Sequence, residues 1–155
     1  MKKTVVLGVG NELFKDEGIG VHAVRILQTK LLPSDVEVID SGTSPEIWPL
    51  IDGANKLIIV DAVRGGCEPG TIYRFTPQQI VVDRGVVTSV HQMGILENLS
   101  LMELVGGKPT ETVIIGVEPA ELEPGLELSE QLQERMPKII QTVLGEIHPR
   151  VETKV

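Results

Sequence analysis

The sequence predicts a single α/β domain with helices on both faces of a sheet. Strand-like and helix-like segments alternate along the chain, which is the pattern of such folds. The strand-like runs are mostly apolar throughout, as expected of parallel strands that are buried on both faces. A length of 155 residues suits one domain. We expect residues 1–147 to form this domain and residues 148–155, which are polar and aperiodic, to form a flexible tail.

The first half of the chain contains three predicted strands and two predicted helices. A β-branched run, TVVLGV, begins the sheet, and apolar residues at helical spacing then predict a helix that Pro33 ends. The predicted elements are strand Thr4–Val9, helix Glu17–Leu31, strand Val36–Asp40, a short helix over Pro45–Ile51 and strand Leu57–Asp61.

The second half begins with a segment of different character. Thr71–Thr76 alternates between polar and apolar residues, which predicts an edge or antiparallel strand. Pro77–Ser89 has no clear period and is predicted to be irregular. His91 begins an apolar run at helical spacing that reaches Leu104, and Glu111–Val117 is a further buried strand.

The last predicted element is a helix over Leu128–Ile147. Ser129 is its candidate N-cap, and the apolar residues of the segment recur at helical spacing. Pro137 lies inside this span, and a proline in a helix interior is expected to kink or split it.

Composition excludes several classes of protein. The net charge of −8 argues against nucleic acid or an anionic membrane surface as a partner, because both require a basic patch. No run approaches the roughly 20 apolar residues of a membrane span, so no membrane insertion is expected. The short apolar run after Lys2 and Lys3 fits a strand better than a signal peptide, and we expect a cytoplasmic protein.

Carboxylates follow three of the predicted parallel strands. Glu17 follows the first strand after a glycine-rich turn, and Asp40 and Asp61 end the next two. Ligands of such folds bind at the carboxyl ends of the strands, and His91 lies after a segment long enough to return to that edge. Carboxylate oxygens and an imidazole suit a divalent transition metal such as nickel, zinc, iron or manganese.

Dinucleotide binding is an alternative interpretation of the same turn. Gly8 and Gly10 follow a strand, and Asp40 ends the second strand, where a ribose-binding acid is expected. The fingerprint requires a third small residue at position 13, which here is Leu13. Several carboxylates beside the glycines would also repel a phosphate, so this interpretation is disfavoured.

Structural roles are a second alternative for these residues. Asp16 and Glu17 suit the first turn of a helix, where the helix dipole favours acids. Asp40 and Asp61 can each cap a turn, and a histidine at the start of a helix is more often a hydrogen-bonding residue than a ligand.

The single cysteine, Cys67, excludes an internal disulfide and a thiolate metal cage. It lies in a glycine-rich loop after Asp61, but the neighbouring Glu68 would raise its pKa and make it a poor nucleophile. The motif of a serine nucleophile elbow does not occur in the sequence.

Five segments in this order resemble the hydrogenase maturation proteases. They are VLGVGNELFKDEGIGVHAV, VIDSGTS, LIIVDAVRGGCEPGTI, SVHQMGI and IIGVEPAELEPGLELS, and the similarity extends from about Thr4 to Leu144. The resemblance implies a three-layer α/β/α sandwich around a twisted, mostly parallel mixed sheet of about five strands. It also implies an endopeptidase that removes the C-terminal extension of a [NiFe]-hydrogenase large-subunit precursor.

The family's metal-binding positions correspond here to Glu17, Asp61 and His91. The resemblance implies that these residues bind the nickel of the precursor, so the nickel comes with the substrate and no tightly bound cofactor is expected. Asp40 corresponds to an acid in a D-G-G-T-like segment, but the sequence here is DSGT, which leaves Asp40 as a candidate for orienting the substrate. We expect a monomer when the protein is free. A metal-binding module without peptidase activity remains the alternative.

Overall fold

The computed structural model describes residues 3–44, 47–82 and 99–148. The sheet has five strands, β1 (Thr4–Val9), β2 (Val36–Gly42), β3 (Lys56–Ala62), β4 (Ile72–Phe75) and β5 (Glu111–Val117), in the order β2-β1-β3-β5-β4. Neighbours among β1, β2, β3 and β5 pair in parallel, and β4 is an edge strand antiparallel to β5. The predicted α/β class, the five strands and the antiparallel edge are confirmed.

Helices cover both faces of the sheet. One face packs against α1 (Ile19–Leu27) and α5 (Glu130–Ile147). The other face packs against α2 (Trp48–Ile51) and the helical residues 99–105, here called α4. Successive residues of a strand face opposite layers, so Ile58 of β3 joins the first core cluster and Ile59 joins the second.

The predicted end of the first helix is wrong. The first helix ends at Leu27 and not at Leu31, which is 101% exposed. The chain leaves the helix where the hydroxyl of Thr29 donates to the carbonyl of Ile26 at 2.7 Å. The apolar period therefore included one leucine that has no core to pack against.

The segment predicted to be irregular contains a short helix, α3 (Pro77–Val82). Proline suits the first position of a helix, because its missing N–H has no partner there in any case. The side-chain oxygen of Gln79 accepts a hydrogen bond from the backbone N–H of Thr76 at 2.7 Å. This is half of a capping box, a local signal that periodicity does not detect. The rest of that segment lies outside the described residues.

The last helix, α5, continues through Pro137, so of the two predicted effects, a kink or a split, the split is wrong. Ser129 is the N-cap as predicted, and its hydroxyl oxygen accepts from the N–H of Leu132 at 3.4 Å. Buried residues on both sides of Pro137, such as Leu132 and Ile139, hold the helix against the sheet. Their burial outweighs the one backbone hydrogen bond that proline removes. Among the described residues, no helix is both long and apolar enough to cross a membrane.

Candidate functional site

The turns after β1 and β3 meet at the carboxyl edge of the sheet. Gly10 makes this approach possible, with a φ of 137° that L side chains rarely adopt. A Cβ at Gly10 would lie 2.0 Å from the carbonyl oxygen of Glu17 and 3.6 Å from Oδ1 of Asp61. The structure thus brings two of the three predicted ligands, Glu17 and Asp61, to one place.

Asp61 is buried, with 1% of its surface exposed. Its Oδ1 accepts a hydrogen bond from the N–H of Ala62 at 2.8 Å. Its Oδ2 is buried and has no hydrogen-bond partner among the described residues. Burial raises the pKa of Asp61 well above its ordinary range, the Ala62 N–H opposes this, and the charge of Glu17 adds to it.

A buried carboxylate oxygen without a partner is costly, because it has lost its hydration and gained no hydrogen bond. Two occupants relieve this cost: a proton on Asp61, or a cation that binds Asp61 together with Glu17. The donor set is composed of hard oxygens that are suited to a divalent metal. Glu17 is half-buried in the short 3₁₀ turn Lys15–Gly18, directly beside this carboxyl group.

The turn that carries Glu17 is held by its neighbour, Asp16. Asp16 is fully buried, and its carboxylate accepts three backbone hydrogen bonds of 2.8 Å. The donors are Ala120, Glu121 and Ser129, which belong to the loop between β5 and α5. Asp16 does lie in the first turn of the 3₁₀ helix, as the sequence suggests, but it bonds to residues more than a hundred positions away.

Lys15 joins the same two segments from the other side. Its N–H donates to the carbonyl of Gly125 at 2.9 Å, and the N–H of Gly125 donates to Leu13 at 2.8 Å. Its Nζ lies 2.8 Å from Glu121 and 3.4 Å from Glu123. The Glu17 turn is therefore fixed to the loop before α5, which makes it a rigid platform.

Asp40 is at the same edge, at the end of β2 and in register with Gly8. Its carboxylate lies 3.2 Å from the guanidinium of Arg25, and it also accepts from the N–H of Gly42 at 3.1 Å. Arg25 makes a bidentate contact to Glu12, at 2.6 and 2.9 Å, which lowers the pKa of Glu12. Asp40 thus pairs with Arg25 and is not grouped with Asp61.

One buried carboxylate at this edge escaped the sequence analysis. Glu118 follows β5 directly, is 7% exposed, and accepts hydrogen bonds from Gly65 at 2.8 Å and from the Tyr73 hydroxyl at 2.6 Å. Burial raises the pKa of Tyr73, and the side chains of Cys67 and Glu118 add to this effect, whereas the backbone N–H of Cys67 opposes it. Glu118 and Tyr73 hold the loop that follows Asp61. The signal that could have found Glu118 is its position at the end of a buried strand.

The third predicted ligand, His91, lies outside the described residues. Within 3–44, 47–82 and 99–148, no three His, Cys, Asp or Glu side chains are grouped as a metal site. His22 is half-buried in α1, and its Nε2 is buried without a partner among these residues. Burial is the main cause that lowers the pKa of His22.

Two glycines, Gly8 in β1 and Gly20 in α1, lie where the backbone segments of this region pack closely together. A Cβ at Gly20 would lie 2.0 Å from the carbonyl oxygen of Val60, and one at Gly8 would lie 2.4 Å from the carbonyl oxygen of Gly20. These glycines allow the start of α1 to lie directly on β1 and β3. They explain the glycine-rich turn without a phosphate ligand.

Comparison with known proteins places this site in a family context. The sequence profile of the family described as hydrogenase maturation protease matches residues 21–146. The chain is 38% identical over 146 residues to the hydrogenase expression/formation protein HupD of Thiocapsa roseopersicina, across 90% of this chain and 65% of that one. It is 34% identical over 147 residues to the hydrogenase 2 maturation protease of Escherichia coli, across 92% and 89% of the two chains.

A solved structure agrees with these sequence matches. The hydrogenase maturating endopeptidase HybD from E. coli superposes with a TM-score of 0.86 at 31% identity, covering 95% of this chain and 93% of that chain. This chain spans 60% of the length of HupD from Rhodobacter capsulatus and 65% of the T. roseopersicina relative.

Proposed function

The chain belongs to the hydrogenase maturation protease family, and from this premise we propose that it is an endopeptidase. Its substrate is the precursor of a [NiFe]-hydrogenase large subunit, from which it removes the C-terminal extension after nickel insertion. Similarity to a maturation protease and to a maturating endopeptidase of E. coli supports the protease activity. Which bond is cleaved and the requirement for nickel are further parts of the proposal.

The observation that carries the proposal is the orphaned oxygen of Asp61. A buried carboxylate whose Oδ2 has no partner among the described residues, and whose charge is coupled to that of Glu17, supports a cation-binding role for these two residues. We assign the ligand roles to Glu17, Asp61 and His91. The nickel arrives with the precursor, so the protease holds no tightly bound cofactor of its own.

The residues of the chain have distinct tasks in this scheme. Gly10 lets the turn that carries Glu17 approach Asp61, and Asp16 fixes that turn to the loop before α5. Nickel held by Glu17, Asp61 and His91 would link the precursor to the protease and would supply Lewis acidity at the cleavage site. Since burial favours the protonated form of Asp61, the metal competes with a proton there, and processing should weaken as the pH falls.

With nickel as the docking contact, the protease discriminates between precursors with and without the metal. A precursor without nickel lacks the main contact, so it stays unprocessed until the metal has been inserted. Asp40 orients the docked segment through its arginine partner, Arg25. The net charge of −8 attracts a basic segment of the precursor, an effect that should weaken as ionic strength rises. We place this reaction in the cytoplasm, with a protease that is monomeric when free.

The test compares Asp61→Asn with Asp52→Asn, the same change at an exposed aspartate. Each variant is incubated with nickel-loaded and nickel-free large-subunit precursors, and mass spectrometry measures loss of mass at the C-terminus. We expect the wild type and Asp52→Asn to trim only the loaded precursor, and folded Asp61→Asn to trim neither. Normal trimming by Asp61→Asn would refute the assignment. Metal binding without trimming by the wild type would favour the binding module.

A further inference from the structure

The row of residues that contains Asp61 crosses the sheet from β3 through β5 to the edge strand β4. Asp61 is in register with Gly116, and Gly116 is in register with Tyr73. Residues in register have their side chains on the same face of a sheet, so Asp61 and Tyr73 share a face. Gly116 has no side chain, and Val63 takes the space above it, since a Cβ at Gly116 would lie 2.4 Å from Cγ2 of Val63. The chain therefore turns back over the sheet directly after Asp61.

Glu118 binds the loop between β3 and β4 with both its side chain and its backbone. Its Oε1 accepts a hydrogen bond from the N–H of Gly65 at 2.8 Å, and its carbonyl accepts from the N–H of Gly70 at 2.8 Å. The preceding carbonyl of β5 accepts from the N–H of Val63 at 3.0 Å. The end of β5 thus fixes the loop at three points along its length.

Tyr73 holds the side chain of Glu118 in this position. Its hydroxyl donates to Oε1 of Glu118 at 2.6 Å and accepts from the N–H of Cys67 at 3.3 Å. Gly65 allows the ring to lie against the loop, because a Cβ there would be 2.7 Å from the hydroxyl oxygen of Tyr73. Glu118 is 7% exposed, so its hydrogen bonds lie largely out of water, where they are stronger.

The loop begins where the carboxyl group of Asp61 is held. Oδ1 of Asp61 accepts from the N–H of the next residue, Ala62, at 2.8 Å, whereas Oδ2 has no partner among the described residues. The residue after Ala62 is Val63, whose own N–H is bound by β5. The direction of the Ala62 N–H therefore depends on the path of the loop, and the orientation of the Asp61 carboxyl group depends on that N–H.

We propose that Glu118 is a positioning residue for Asp61, acting through the loop and the Ala62 N–H, and that Tyr73 orients Glu118. The inference rests on the proposed function, to whose site it adds two residues that bind no metal themselves. Residues that orient a metal ligand contribute about 10–100-fold to metal affinity or activity. An anchor that only stabilised the loop would change stability and leave the activity of the folded enzyme unchanged.

The first test measures processing of nickel-loaded precursor by four variants. We expect kcat/KM to fall about tenfold in Glu118→Ala and about threefold in Tyr73→Phe, which removes one of the two donors to Oε1. Glu118→Gln should keep the wild-type value, because its amide oxygen can accept both hydrogen bonds. The control, Thr71→Val, should keep it too, since it removes a hydrogen bond at the other end of the loop, from Oγ1 to the carbonyl of Glu68 at 2.6 Å.

The second test follows the Ala62 N–H itself, by amide hydrogen exchange measured by NMR without precursor. Its exchange should be about tenfold faster in Glu118→Ala and unchanged in Glu118→Gln and Thr71→Val. Far-UV circular dichroism shows whether each variant is folded, and if Glu118→Ala does not fold, Tyr73→Phe replaces it with exchange about threefold faster.

Unchanged exchange of the Ala62 N–H in the folded variant would overturn the proposal and leave the proposed function intact. So would an equal loss of kcat/KM in Thr71→Val, which would show that any weakening of the loop has the same effect. If the wild type processes no precursor, the proposed function is refuted, and the exchange rates alone then decide whether Glu118 positions Asp61.

Discussion

The substitution Asp16→Ala tests whether the Glu17 turn is held as the structure indicates. Alanine removes a buried carboxylate that accepts three backbone hydrogen bonds of 2.8 Å, from Ala120, Glu121 and Ser129. A buried N–H left without a partner costs about 1–3 kcal/mol, so three give a sum of roughly 3–9 kcal/mol. The loop before α5 is near the surface and water can relieve part of this. We therefore expect the free energy of unfolding to fall by about 4 kcal/mol.

A loss of this size is a large part of the stability of a typical domain, about 5–15 kcal/mol. Urea unfolding at neutral pH, followed by far-UV circular dichroism, measures it, and the melting temperature should fall by about 10 °C. The matched control is Glu12→Ala, which removes another carboxylate of the same turn. Glu12 is exposed and pairs with Arg25 at the surface, so its loss should cost less than about 1 kcal/mol. Equal losses in the two variants would refute the structural role of Asp16.

Three further predictions concern the site and α1. Asp61→Asn should stabilise the fold at neutral pH. Because the pKa of Asp61 is raised in the folded state, the free energy of unfolding of the wild type falls by up to about 1.4 kcal/mol per pH unit as the pH rises from the ordinary pKa of Asp61 to the raised one. A variant whose pH profile of stability runs parallel to that of the wild type would contradict this. Gly10→Ala should displace Glu17, because the alanine Cβ would lie 2.0 Å from the Glu17 carbonyl oxygen. A variant that keeps both processing activity and native stability, measured by thermal melting, would contradict this close approach. Burial lowers the pKa of His22, so this residue contributes stability that is present above its ordinary pKa and lost as the pH falls through the lower folded value. His22→Gln should therefore flatten the acid side of the pH profile of stability, as measured by urea unfolding.

The sequence determined the secondary structure of the sheet almost completely. β1 and β5 have the predicted bounds, because a run that is apolar on both faces can only be buried in the centre of an α/β sheet. The alternation of the segment before Pro77 placed β4 at an antiparallel edge, since one face of an edge strand is wetter. Helix ends were less predictable: Leu31 fitted the period but has nothing to pack against.

The candidate site was also predictable from the sequence only in part. The positions of Glu17 and Asp61 followed from the rule that strand ends meet at one edge, and the structure does bring them together. No local pattern distinguished Asp16 from Glu17, although one is buried among backbone amides and the other lies beside Asp61. The position of His91 relative to them stays a prediction from the family resemblance.

Sequence by itself determined which elements form and at which edge the acids gather, because period and strand order depend on local chemistry and chain direction. Tertiary structure alone decided what each acid does. Asp16 became a hydrogen-bond acceptor for residues distant in the chain, and Asp40 became an arginine partner. Asp61 became a buried carboxyl group whose Oδ2 has no partner among the described residues. The role of a carboxylate depends on the donors and solvent around it, and those are supplied by the folded chain.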